Sequence, residues 1–412
     1  MVGLADCNNF FVSCERSVNP ALEGKAVVVL SNNDGCVVAR SNESKRLGIR
    51  MGQPAFEIRS LVDSGRVIAL SGNHLLYRDI SLRIHDLFRR YVPSAIDYSV
   101  DEAFLDVNGI PVSQLPVIGE AIHRACLNEM HIPVTIGFAP TKTLAKVITE
   151  LSKKRGHPVG IFPSSDDALP VLKLMPVGDL WGIGRRIAKQ LYQCGVYTMA
   201  DFAARDVMWV RRKFGVNGER SWRELHGESC ITLGHVDRRL QDTISETRTF
   251  PEDIGDYDYL RARIVIYASD CARKLRAMRG LCGGIGVFLR GNPFKSDRSL
   301  IKPTAHIHLP EPTSITSRIT ATAVNLLDTI FIPSMEYKRA GVWLSDIVAD
   351  VPSTPSLFEP PREKNEAMKR LMSTIDNING SVGHNLELAA RLVEVRRGHN
   401  DGYSSSFQAP KK

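Results

Sequence analysis

The chain has 412 residues, too many for one ordinary hydrophobic core, so two to four domains are expected. Apolar residues make up 43% and charged residues 24%, the balance of a folded soluble protein and not of a low-complexity chain. A net charge of +8 favours a polyanionic partner, nucleic acid or acidic membrane, and says nothing about fold.

The eight cysteines are scattered and none forms a C-x₂-C pair, so neither a cysteine zinc site nor a disulfide framework is indicated. A reducing cytoplasm fits. No signal segment and no 18-residue apolar stretch is present, so neither export nor membrane spanning is expected.

Residues 2–6 read as a strand ending on Asp6, followed by Cys7-Asn8-Asn9-Phe10-Phe11. Further strands are expected at 26–30 and 67–70, with a short helix at 39–48 stopped by Gly48. A long helix follows, with Leu76, Ile80, Ile84, Leu87, Phe88 and Tyr91 on one core-facing stripe. Residues 95–106 then read as two β-runs with Asp101 and Glu102 at the bend, Ile96, Tyr98 and Val100 alternating as in a half-buried strand. Adjacent carboxylates repel, and in a packed setting one takes up a proton unless a cation keeps both ionised. Oxygen-only ligands suit Mg²⁺. With Asp6 on a neighbouring strand, the three acids form the donor set of a two-metal phosphoryl-transfer site. A solvated turn is the commoner reason for an isolated acid pair, so the rest of the chain decides.

Residues 117–130 read as a helix and 134–138 as a strand. Thr141-Lys142-Thr143-Leu144-Ala145-Lys146 then opens a helix with Lys142 and Lys146 on one face. Such a pair is ordinarily solvated; placed after a strand of the acid-bearing domain, it is within reach of a triphosphate. Residues 166–235 read as helical, broken by glycines. There Gly182-Ile183-Gly184 leads into Arg185 and Arg186, framed by Val177, Leu180, Ile183, Ile187 and Leu191. This is the pattern of a helix-hairpin-helix, whose backbone N–H groups hold a DNA phosphate; a plain helix cap gives the same Gly-x-Gly.

From 240 to 347 the expected order is strand, helix, strand, strand, helix, strand, a β-α-β-β-α-β domain. Ten Lys or Arg against two acids between Arg261 and Lys302 make a basic strip without aromatic interleaving. It includes Arg273, Lys274, Arg276, Arg279, Arg290, Lys295, Arg298 and Lys302, and it fits a duplex backbone better than stacked bases. Residues 348–362 carry Pro352, Pro355, Pro360 and Pro361 and read as a linker holding an exposed apolar pair, Leu357 and Phe358. Beyond it a helix is expected near 363–377, a break at Asn379-Gly380, a second helical segment at 385–396 and a polar tail.

Asp6 with Phe10-Phe11, Ser99-Val100-Asp101-Glu102-Ala103-Phe104-Leu105-Asp106, the Thr141–Lys146 helix start and the Gly182-Ile183-Gly184 turn occur in the order of a Y-family, lesion-bypass DNA polymerase. The chain most resembles the UmuC branch, the catalytic subunit of bacterial DNA polymerase V and its mobile-element relatives. The resemblance implies an α+β multidomain right hand: palm and fingers at 1–165, helical thumb at 166–235, little finger at 240–347, a linker with a clamp-binding peptide at 348–362 and an accessory region at 363–412. It implies error-prone, template-directed nucleotidyl transfer opposite damaged bases, as in translesion synthesis and SOS mutagenesis.

It further implies that Asp6, Asp101 and Glu102 are catalytic and hold two Mg²⁺ ions, with the Cys7 carbonyl as an extra ligand. Phe11, beside Phe10, is implied to lie under the incoming sugar as a steric gate, with Asn42, Lys45 and Lys142 near the triphosphate. Many members carry Tyr and Arg where this chain has Asn42 and Lys45, and Lys lacks the planar fork of Arg. Gly182, Gly184, Arg185, Arg273, Lys274 and Arg276 are the implied DNA contacts, and Leu357 with Phe358 the implied contact to a sliding clamp, with Thr354 where the usual clamp peptide has Gln. Implied partners are primer–template DNA, deoxynucleoside triphosphates, the clamp, a UmuD-like accessory dimer and a RecA filament, in the cytoplasm with no membrane. A repair nuclease or glycosylase using the helix-hairpin-helix leaves the sugar-gating aromatic and the phosphate-facing lysines unexplained. Against a non-catalytic DNA-binding relative stands the presence of all three acids.

Overall fold

The computed structural model describes residues 1–31, 34–232, 241–292, 295, 302–350 and 362–382. The chain divides into two compact units, the first running to residue 235 and the second from 236 to 400.

The first unit opens with β1 (Val2–Cys7), which turns at Asn9 in the left-handed region (φ 50°) into α1 (Phe10–Val18). A small sheet follows, built from β2 (Val27–Leu30), β3 (Val37–Arg40) and β4 (Ile68–Ser71) in the order β3-β2-β4. Between β3 and β4 in the chain lie α2 (Asn42–Arg46) and α3 (Arg59–Asp63). The helix expected at 39–48 is therefore shorter. Val37–Arg40 pairs with β2 instead, and the helix starts only after Ser41, whose hydroxyl accepts the Ser44 N–H at 3.2 Å.

The stripe of α4 (His74–Phe88) is core-facing as expected: Leu76, Ile80, Ile84, Leu87 and Phe88 are all buried, while Tyr91, also expected on it, lies past the helix end and packs half-buried against the same core. Then come β5 (Ser94–Asp97), β6 (Glu102–Asp106), α5 (Leu115–Met130), β7 (Val134–Ala139), α6 (Lys142–Arg155) and β8 (Val159–Ile161). Their strands join β1 in one sheet of order β5-β6-β1-β7-β8, with β1 between two antiparallel neighbours. Every residue of β7 is buried, because α5 and α6 both pack against this strand. α6 lies so close that Gly137 has no room for a side chain. A Cβ there would sit 2.7 Å from the Thr149 backbone nitrogen and 2.8 Å from the Ala145 carbonyl oxygen.

The remainder of this unit is helical: α7 (Leu169–Leu172), α8 (Arg185–Gln193), α9 (Met199–Ala203) and α10 (Val207–Leu225). Its apolar frame of Val177, Leu180, Ile183 and Leu191 shares a buried cluster with Leu144, Val147 and Ile148 of α6. Glu224 of α10 fixes the junction. Its buried carboxylate accepts the Thr143 N–H at 2.9 Å, and its carbonyl accepts the Thr141 hydroxyl at 2.8 Å. α6 is thus held by the sheet on one side and by the helical segment on the other.

The second unit has the expected order: β9 (Ile244–Ile254), α11 (Tyr257–Ala277), β10 (Gly280–Arg290), β11 (Thr304–Thr313), α12 (Thr316–Ile330) and β12 (Tyr337–Ala349). Its sheet, β11-β10-β12-β9, is antiparallel throughout and is covered on one face by α11 and α12. α13 (Arg362–Val382) runs on through Asn379-Gly380, where a break was expected. One interior glycine costs a helix only about 1 kcal/mol, and Arg276 ties α13 down by donating to Asp376 at 2.6 and 2.9 Å. The expected segment at 385–396, and Leu357 with Phe358 in the linker, lie outside the described residues. No described helix is long and apolar enough to cross a membrane.

The α6–β7 approach gives a test. Gly137→Ala is expected to destabilise the first unit by about 3 kcal/mol or more, since backbone and not a flexible side chain must yield. Denaturant unfolding measures this directly, and a wild-type midpoint would show that α6 is not fixed by this contact.

Candidate active site

The antiparallel register of β1 and β6 sets Asp6 opposite Glu102. The Cys7 N–H donates to the Asp101 carbonyl at 2.9 Å, which brings the third acid to the same sheet end. The strand expected to continue through Val100 stops at Asp97. Residues 98–101 form a turn, closed by the Tyr98 N–H on the Glu102 carbonyl at 3.0 Å. Ser99 organises that turn, donating its hydroxyl to Asp101 Oδ1 at 2.6 Å and accepting the Glu102 N–H at 3.0 Å. Ser-x-Asp-Glu is therefore a hydrogen-bonded unit that aims both carboxylates.

Burial pushes the Asp6 carboxyl up to about 7, and the nearby charges of Glu102 and Asp101 add to this while Lys153 opposes it. Two lysines of α6 face these acids. Lys153 pairs with Asp6. Lys146 donates to both oxygens of Glu102, at 2.8 and 2.9 Å. Seven residues separate them, nearly two helical turns, so both project from one face. The Lys146 ammonium also lies over the rings of Tyr98 and Trp181, at 4.7 and 5.5 Å, and the Trp181 indole N–H donates to the Tyr98 hydroxyl at 3.0 Å. A cleft of about 400 Å³ opens here, lined by Asp6, Glu102, Lys146, Glu150, Asp179 and Trp181 among others.

Asn42 and Lys45 come together on α2. Lys45 donates to Asn9 at 2.7 Å and to Asn42 at 3.3 Å, and Asn9 donates to Asn42 at 3.2 Å. Burial lowers the Lys45 pKa, and the positive charges of Arg40 and Lys153 lower it further, so cations converge beside the acids. Lys142 sits at the first residue of α6, next to the Thr141 and Thr143 contacts with Glu224. Of the α6 lysines, it is Lys146 and Lys153 that the structure pairs with the acids. Phe10 is 4% exposed and belongs to the core. Phe11 is only partly buried and stacks on Tyr77, with centroids 4.3 Å apart and planes 14° from parallel. The Tyr77 hydroxyl in turn donates to the buried Glu15 at 2.7 Å.

The Gly-x-Gly turn leads directly into α8. Gly182 has φ of 90°, a conformation that favours glycine. Gly184 begins α8 without a side-chain cap, in open space, with Arg185, Arg186 and Lys189 exposed around it. Several bases of the α11 strip have partners within the second unit. Lys274 pairs with Glu246, Arg273 lies 3.8 Å from Asp270, and Arg276 is spent on Asp376, the Ser314 carbonyl and the Thr316 hydroxyl. Arg276, with its side chain 13% exposed, docks α13. Its acidic partner is 100 residues away, so no local pattern in the sequence reports the pair.

Residues 5–150 match the impB/mucB/samB family, and residues 241–357 match the C-terminal domain of that family. Protein ImpB of Salmonella typhimurium is 36% identical over 388 residues, covering 92% of this chain and 91% of the relative. The chain belongs to the impB/mucB/samB family. Another similar protein is UmuC of Salmonella typhimurium, 36% identical over 387 residues, 93% of this chain and 91% of UmuC. Among solved structures, a chimeric Y-family DNA polymerase built on Dbh has the same fold, with TM-score 0.68 at 20% identity over 84% of this chain and 99% of its own. This impB/mucB/samB protein is a DNA-directed DNA polymerase of the Y-family, a class that depends on metal ions.

The Asp6 environment sets a pH dependence. A folded pKa near 7 exceeds the unfolded carboxylate value of about 4, so folding favours the protonated form. The stability that proton contributes is complete below the unfolded value and is lost as pH rises through the folded one. In chelator-treated protein, Asp6→Asn is expected to exceed wild type by about 2–4 kcal/mol at pH 8, narrowing towards pH 4. Parallel stability–pH curves for the two proteins would show that Asp6 carries no such strain.

Proposed function

We propose that this polymerase performs translesion synthesis, adding deoxynucleotides opposite damaged template bases, with Asp6, Asp101 and Glu102 holding two Mg²⁺ ions. The observation that carries the reading is the convergence of three carboxylates on one sheet end, two of them paired with lysine side chains. The donor set fits the ion. It is all oxygen, which suits Mg²⁺, and a dication relieves the like-charge repulsion that helps raise the Asp6 pKa. The Cys7 carbonyl, next in the chain after Asp6, is the further oxygen ligand that the family resemblance implies. When bound, the ions supply activation of the attacking oxygen and charge stabilisation on the leaving one.

The chain's own groups do the rest. The reaction is attack of the primer 3′-hydroxyl on the α-phosphorus of the bound nucleotide, with pyrophosphate leaving, and it rests on positioning and charge. Ser99 aims Asp101 and Glu102. Lys153 and Lys45 converge where a triphosphate brings four negative charges at most, and its arrival frees Lys153 from Asp6. Phe11 excludes a 2′-hydroxyl by its bulk, and it cannot swing aside easily because Tyr77 backs its ring. The uncapped N–H groups after Gly184 take a DNA phosphate, helped by Arg185. On the sheet of the second unit, Arg290 and Arg339 flank Phe288 on the face away from the helices and offer a backbone contact that the paired bases of α11 do not. The remaining partners, a sliding clamp at Leu357 and Phe358, a UmuD-like dimer and RecA in SOS mutagenesis, rest on the family resemblance.

Primer extension tests the chemistry. Asp101→Asn is expected to lower single-nucleotide addition about a thousandfold or more, as for loss of several kcal/mol of transition-state stabilisation, while DNA affinity stays near wild type. Extension at the parental rate would remove Asp101 from the site. Phe11→Ala is expected to raise ribonucleotide incorporation relative to the matching deoxynucleotide. Discrimination unchanged in a folded variant would leave Phe11 as a packing residue on Tyr77.

A further inference from the structure

We propose that His306, His308 and Asp346 bind a transition-metal dication, Zn²⁺ in the first instance, on the open face of the second unit's sheet. His306 and His308 are two apart on β11, so both point to one face. Asp346 is on β12, and β10 runs between these two strands. Strands two apart are about 9.6 Å from each other, and ordinary side chains on the middle strand keep their residues from meeting. Here the middle strand carries glycine at both positions that matter. Gly284 pairs with His308 on one side and Ser345 on the other, and Gly286 pairs with His306 and Trp343.

Side chains close over those glycines. His306 Nε2 lies 3.0 Å from the Ser345 hydroxyl, and His308 Nδ1 lies 3.0 Å from Asp346 Oδ2. The His306 ring stacks on Trp343 at 5.8 Å with planes 7° from parallel, which fixes its orientation. Alternation alone would turn Asp346 away from Ser345, towards the helix-covered face. Its left-handed backbone, φ 52°, brings the carboxylate back beside the histidines. Such a conformation costs an aspartate of the order of 1 kcal/mol and persists where something holds it.

The donors converge on the space that Gly284 leaves open. A Cβ built there would lie 2.8 Å from both His306 Nε2 and Asp346 Oδ2. The three ligand atoms lie within 4.8 Å of one another, and modest side-chain rotation brings them to the roughly 2.0–2.2 Å bond lengths of Zn²⁺. Two imidazoles and one carboxylate select Zn²⁺ or its neighbours over Mg²⁺ and Ca²⁺, in contrast to the all-oxygen set of Asp6, Asp101 and Glu102. Three protein ligands leave a fourth position, and all three residues are exposed, so that position faces solvent.

The test is titration of the full chain with ZnCl₂ by calorimetry, in excess Mg²⁺ so that the acid site is saturated. The eight cysteines are present in every sample, so the difference between proteins is what counts. Wild type is expected to bind one Zn²⁺ more than the His306→Ala/His308→Ala double variant, and Co²⁺ in place of Zn²⁺ to give a visible ligand-field band that the double variant lacks. Asp346→Asn, which keeps the shape of the side chain, is the second variant and is expected to weaken that Zn²⁺ at least several-fold. Equal stoichiometry in wild type and double variant overturns the proposal, as does Zn²⁺ binding by Asp346→Asn at wild-type affinity.

Discussion

Two carboxylates face each other across paired strands at the end of a buried sheet, and most of the first unit follows from that constraint. The β1–β6 register puts Asp6 opposite Glu102, and Asp101 arrives through the hydrogen bond from the Cys7 N–H. In so buried a place like charges are expensive, and the elevated pKa of Asp6 expresses the expense. Compensation must come from outside the sheet. α6 supplies it, and the close approach of α6 to Gly137 is what puts Lys146 and Lys153 within reach. These lysines mark where positive charge is required at the acids.

The same helix links the acids to the helical segment. The Lys146 ammonium touches both Glu102 and the ring faces of Tyr98 and Trp181, and Trp181 precedes the Gly182 turn that leads to the proposed phosphate-binding helix end. Glu224 anchors the opening turn of α6 from the other direction. The acid site and the segment read as DNA-gripping therefore share contacts with one helix, α6.

Much of this was legible in the sequence because it is periodic or local. The stripe of α4, the N-terminal strand carrying Asp6 and the β-α-β-β-α-β order all stand within short windows, and the structure has them where they were expected, whereas the alternation of Tyr98 and Val100 suggested strand where Ser99 closes a turn. Tertiary partners were not legible. Lys153 sits in Ser152-Lys153-Lys154-Arg155, which reads as charge placed at a helix C-terminus; its seven-residue spacing from Lys146 was the available signal. β3 is four residues long and continues into a helix cap, so its alternation was lost in the helix signal. Arg276 looked free because Asp376 is remote in the chain. The His306, His308 and Asp346 cluster was invisible because it forms across a strand of glycines, which no spacing rule reports.

The most direct test of the acid site is a count of ions. Mn²⁺, followed by electron paramagnetic resonance, replaces Mg²⁺ in a complex of the protein with a chain-terminated primer, its template and the matching nucleotide. Wild type is expected to hold two more Mn²⁺ ions than the Asp6→Asn/Asp101→Asn variant. The same count in both proteins would contradict a metal site built from these acids.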